Sequence, residues 1–72
     1  MKFLAKYATR DSKGNEVHKT FNLNVPNNMF FGEAYDSEQN ILAIAKRYAQ
    51  YKLQQRKSFV NGRDYVYSVE RI

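Results

Sequence analysis

One histidine, seven carboxylates and no cysteine make up most of this chain's stock of groups for proton transfer, metal binding or nucleophilic attack. A nucleophilic triad sets a histidine beside both a hydroxyl and an acid, and no motif supplies such partners to His18. It falls on the polar side of an alternating stretch and reads as a solvated surface residue. Glu33, Asp36 and Glu38 lie close enough in sequence to hold a divalent cation through oxygen. Carboxylates at a helix start also complement the positive end of its dipole, and that plainer reading is adopted. None of the three glycines sits in a phosphate-loop or dinucleotide pattern. A substrate pocket of roughly 300 Å³ or more would empty much of so small a core. The expectation is therefore a non-enzyme, with no catalytic residue, cofactor or metal.

Binding chemistry is better represented. From Lys46 to Lys57 the chain carries five basic residues, three glutamines and two tyrosines, with no acid. On a helix, Lys46, Arg47, Gln50 and Gln54 face outward, with Arg56 and Lys57 in the last turn. Cationic side chains neutralise phosphates and release counterions, and Arg and Gln also read base edges. Asn61-Gly62, between Lys57 and Arg63, adds a basic turn. DNA or RNA is the expected partner, contacted through these seven side chains by an accessory or regulatory protein. The plain alternative is that any amphipathic surface helix has a charged outer face and benefits from cations near its C-terminus. No RNA-binding aromatic pair, zinc finger or helix-turn-helix pattern accompanies the cluster.

A rival reading makes the chain a protein-interaction module or inhibitor. Met29-Phe30-Phe31, with Tyr35, offers the Met and aromatic side chains favoured at interfaces. Equally, Phe30 or Phe31 could plug the seam between sheet and helix. An exposed edge strand could pair with a partner protein or make a homodimer.

Seventy-two residues with a net charge of +5 set the physical frame. A chain this short buries only about 60% of its unfolded surface, and six Tyr and five Phe supply large rings for one small core. The cationic excess is densest over residues 36–57 and favours anionic partners. Without cysteine there is no disulfide framework, which fits a cytoplasmic protein. Ile41–Ala45, the longest apolar run, is far below the roughly 20 residues of a membrane span, so no membrane partner is expected.

The elements that position these residues follow from periodicity. Phe3, Ala5 and Tyr7 alternate with Lys2, Leu4 and Lys6, and Asp11 to Asn15 clusters turn formers around Gly14. Val17, Phe21, Leu23 and Val25 share one parity, broken by Lys19, until Pro26 ends the strand. This hairpin spans residues 2–25. Residues 26–35 are aromatic and aperiodic, compatible with a short strand, a helical turn or a loop. A helix over 37–56 follows, opened by Asp36 as cap with Gln39 placed for a capping box. Its apolar stripe is Ile41, Leu42, Ala45, Tyr48, Ala49 and Leu53, and Lys52 falls near the stripe's middle with its amine free to snorkel outward.

Residues 58–72 form a C-terminal hairpin about Asn61-Gly62, whose type I′ geometry needs positive φ twice, or a loop entering one last strand. In the hairpin register Tyr65, Tyr67 and Val69 share a face opposite Val66, Ser68 and Glu70. The expected fold is one α+β domain over residues 1–72, in the order ββ(β)αββ. It would be a small antiparallel sheet with the helix packed on one face.

Overall fold

β1 (Lys2–Arg10) and β2 (Glu16–Asn24) form the antiparallel hairpin that their alternation requires, with Phe3 opposite Leu23, Ala5 opposite Phe21 and Tyr7 opposite Lys19. These features come from a computed structural model that describes residues 1–30 and 37–72. In the turn, Asp11 accepts the Lys13 and Asn15 N–H groups at 2.9 Å each through Oδ1, while Gly14 takes φ +83°. The left-handed region is where glycine carries no Cβ penalty. These bonds, the Asn15 amide first, hold the Asp11 carboxyl below its ordinary range. Beyond Asn24, the Val25 amide donates to the Met1 carbonyl at 2.9 Å and extends the pairing.

After Pro26 the chain makes one 3-10 turn, Asn27–Met29, and then turns Phe30 inward. Phe30 is only 3% exposed, with its ring centroid 6.3 Å from that of Phe3. Of the open alternatives for this stretch, residues 27–29 take the helical turn. Phe31, Glu33, Tyr35 and Asp36 lie outside the described residues, so the expected Asp36 cap does too. Instead Ser37 occupies the N-cap position, its hydroxyl accepting the Asn40 amide at 3.4 Å.

The helix α1 (Glu38–Gln54) buries Ile41, Ala45, Ala49 and Leu53, the four-residue spacing of one stripe. It ends two residues earlier than expected, because the Gln55 and Arg56 amides bond back to Lys52 and Leu53. Those three-residue closures tighten the last turn toward 3-10 geometry.

β3 (Tyr65–Arg71) pairs antiparallel with β1, giving the strand order β2-β1-β3. β2 and β3 thus run parallel on either side of β1, and the path between them, edge to edge, crosses one face. That face takes the helix, and the core lies between: Phe3, Ala5, Tyr7, Leu23, Val25, Phe30, the helix stripe and Val66. The α+β expectation holds, with one last strand in place of a hairpin.

Two expectations about the C-terminal region are corrected. Gly62 has φ +84°, but Asn61 does not take positive φ, so no type I′ turn forms. The Arg63 and Asp64 amides instead both donate to the Val60 carbonyl at 3.1 Å, rolling residues 60–64 into a compact turn. Simple parity also fails in β3. Its register against β1 shifts between Lys6, opposite Ser68, and Tyr7, opposite Val66. One additional residue, Tyr67, is accommodated as a β-bulge. The bulge lets Val66 and Val69, of opposite parity, both pack on the core.

Candidate nucleic-acid interface

The expected interface divides into side chains that reach solvent and side chains engaged by the fold. Lys46, Arg47, Gln54 and Lys57 are exposed, and the three cations among them make no ion pair among the described residues. Lys46, Arg47 and Gln54 fall on one side of the helix, within about 100° of one another, and Lys52 stands off it. At 100° per residue, Lys46 and Lys52 stand about 120° apart around the helix.

Gln50 departs from its expected place on the outer face. It is half-buried, and its Oε1 accepts the Val66 amide at 2.8 Å. Helix and β3 meet on that side, so the glutamine satisfies a main-chain donor at the end of the sheet. Arg63 is likewise committed to the fold. Its Nε and Nη2 donate to the two Asp64 carboxylate oxygens at 2.7 and 2.9 Å, and Nη2 also reaches the Ser58 carbonyl at 2.8 Å. Asp64 is buried and accepts further bonds from the Thr9 hydroxyl and, at 3.0 Å, the Val60 amide. The Arg63 guanidinium above all, with those donors, holds the Asp64 carboxyl well below the usual carboxylate range. Arg63 and Asp64 together clip the turn to β1.

Arg56 is exposed but held. Its guanidinium carbon lies 5.3 Å from the Tyr7 ring centroid and 4.8 Å from that of Phe21, and Nη1 donates to the Tyr7 hydroxyl at 3.1 Å. Stacking on two rings fixes a planar cation at little further entropic cost on binding. It borders a cleft of about 200 Å³, between the helix end and the sheet, that Arg10, Lys19 and Leu53 also line. Lys52, one turn earlier, carries its ammonium outward to 5.5 Å from the Tyr48 ring centroid.

Sequence reasoning passed over Arg10, Lys13, Lys19 and Lys52 as members of one group, which the topology assembles. The β1–β2 turn and the C-terminal end of the helix lie at the same end of the molecule, joined through Thr9–Asp64 and Tyr7–Arg56. The available signal was Lys19, a lysine at a position whose parity faces the helix. This end holds seven of the twelve Lys and Arg residues: Arg10, Lys13, Lys19, Lys52, Arg56, Lys57 and Arg63. Its three carboxylates, Asp11, Glu16 and Asp64, all accept internal hydrogen bonds.

The rival segment is also divided. Phe30 is in the core and presents no ring to a partner, whereas Met29 is 40% exposed and lines a shallow, largely apolar recess with Arg47, Tyr48 and Tyr51. Phe31 and Tyr35 lie outside the described residues. His18 is exposed on β2, as expected. Among the described residues no group of three or more His, Asp or Glu gathers as a metal site, and no helix is long and apolar enough to cross a membrane. Compared with protein-family models, with curated proteins and with solved structures, the chain matches none.

Proposed function

We propose that this chain is a non-catalytic nucleic-acid-binding protein whose phosphate contacts centre on the cation-rich end, with Lys46 and Arg47 extending them along the helix. The observation that carries this is the uneven use of charge. Every carboxylate at that end is already hydrogen-bonded within the fold, while Lys13, Lys19, Lys52 and Lys57 make no ion pair among the described residues. Cations without internal partners favour a polyanion and release its counterions on contact. Arg56, held over the Tyr7 and Phe21 rings, is ready for a phosphate oxygen without first being ordered.

The test compares three proteins by fluorescence anisotropy on labelled single-stranded and duplex oligonucleotides at 50 mM salt. Lys52→Glu with Lys57→Glu should weaken binding by about tenfold or more and leave the circular dichroism spectrum unchanged. Lys46→Glu with Arg47→Glu should weaken it less. Wild-type protein that binds neither form at low salt refutes the proposal.

A second reading, a protein-binding module, is favoured by the exposed recess of Met29, Tyr48 and Tyr51. It requires that Met29→Ala abolish capture of a partner without shifting the melting temperature.

A further inference from the structure

The helix covers one face of the sheet, and among the described residues no element covers the other. On the middle strand of that open face, toward the end that carries the β1–β2 turn, Ala8 is only 1% exposed, although its side chain is a single methyl. Its partners in register are His18 on one side and Tyr65 on the other. The bulge in β3 sets Tyr67 beside them, its ring centroid 5.2 Å from that of His18 and its hydroxyl 3.4 Å from Nδ1. Three rings therefore stand over a small residue of the middle strand, and all three reach solvent: Tyr65 is 47% and Tyr67 38% exposed, and the His18 side chain 58%.

The chemistry around the rings narrows the occupant. Thr20, Asn22 and Ser68 occupy the flanking positions on this face, and its large aliphatic side chains, Leu4 and the exposed Ile72, lie toward the other end of the sheet from the three rings. A protein partner anchors on apolar side chains in desolvated pockets. Flat rings with hydroxyl and amide neighbours match nucleobases, which stack on any π-face and carry their own donors and acceptors. Charge fits the same occupant. Both carboxylates of the face are engaged, Glu16 with the Tyr65 hydroxyl at 3.4 Å and His18 at 3.7 Å, and Glu70 with Lys6 at 3.7 Å. Lys2 is exposed on the same side of β1, and Arg10 ends that strand at the cation-rich end. In a duplex the base faces are already stacked, so a flat aromatic surface selects single strands.

We propose that the open sheet face binds single-stranded nucleic acid, with unpaired bases stacking on Tyr67, Tyr65 and His18 while the cation-rich end holds the adjoining phosphates. This rests on the nucleic-acid reading above and adds to it the strandedness of the ligand and the surface that selects it.

The test uses fluorescein-labelled mixed-sequence 12-mers, single-stranded and as the matching duplex, at 50 mM salt. Wild type should prefer the single strand, and Tyr67→Ala should lose about 5- to 150-fold in affinity for it, with the duplex affinity unchanged. Tyr67→Trp supplies a sole tryptophan, because the chain has none, and its emission should be quenched as single strand is added. Equal single-strand affinity in wild type and Tyr67→Ala, or Tyr67→Trp emission unmoved under saturating binding, overturns this inference and leaves the nucleic-acid reading standing. Should Tyr67→Ala fail to fold, the Tyr67→Trp quenching decides alone. Wild type that binds neither probe overturns both.

Discussion

Replacing Asp64 by asparagine removes one charge from a side chain that accepts from three groups, Arg63, Thr9 and Val60. Asparagine keeps a single acceptor oxygen and turns an NH₂ toward donors that already point inward. A hydrogen bond to a charged group contributes about 1.5–3 kcal/mol, against about 1 kcal/mol for a neutral one. Arg63 retains partial solvent contact, with its side chain 34% exposed, which screens the ionic part. The expected loss is about 2–3 kcal/mol, and for a domain of this size about 10–20 °C in melting temperature. The pH dependence has a definite sign. The folded-state carboxyl sits below its ordinary value of 3.8, so its stabilisation is full above that value and declines as pH falls toward the folded-state value. Thermal melts followed by circular dichroism should show the wild-type advantage intact at pH 7 and narrowed at pH 2. A melting temperature within about 2 °C of wild type at pH 7, or a gap that widens on acidification, would show that the Asp64 charge does not hold the clip.

Two further substitutions test the packing that positions the candidate surfaces. Gln50→Ala leaves the Val66 amide without its acceptor and should cost about 1–3 kcal/mol, read as a lower urea midpoint at unchanged slope. Phe30→Ala opens a cavity beside Phe3 and should cost about 3–5 kcal/mol, while Met29→Ala next to it should stay within about 0.5 kcal/mol. Equal effects at 29 and 30 would contradict the inward turn of Phe30.

The strands and helix were legible because their periods are local. Val17, Phe21 and Leu23 alternate, and Ile41, Ala45, Ala49 and Leu53 repeat every four residues, so each face follows from neighbours in sequence. What escaped depends on contacts distant in sequence. Gln50 looks like an outward polar residue until β3 brings the Val66 amide against it. Tyr67 breaks the parity of its strand because the core needs both Val66 and Val69. Asn61-Gly62 carries the strongest short hairpin signal, yet Arg63 and Asp64 are drawn into the clip with Thr9, and the turn closes on Val60 instead. The basic helix was visible as a cluster. Its continuation into Arg10, Lys13 and Lys19 was not, since only the fold sets the first turn beside the helix end.

Binding of a polyanion through Lys and Arg is read from the salt dependence of oligonucleotide affinity. If about four phosphates of a single strand are contacted, the logarithm of affinity should fall with the logarithm of salt at a slope near −2.8, about 50-fold between 50 and 200 mM. Lys52→Glu with Lys57→Glu should flatten that slope. Absence of binding at 50 mM, or an affinity that does not move across the series, would rule out phosphate contacts by these side chains.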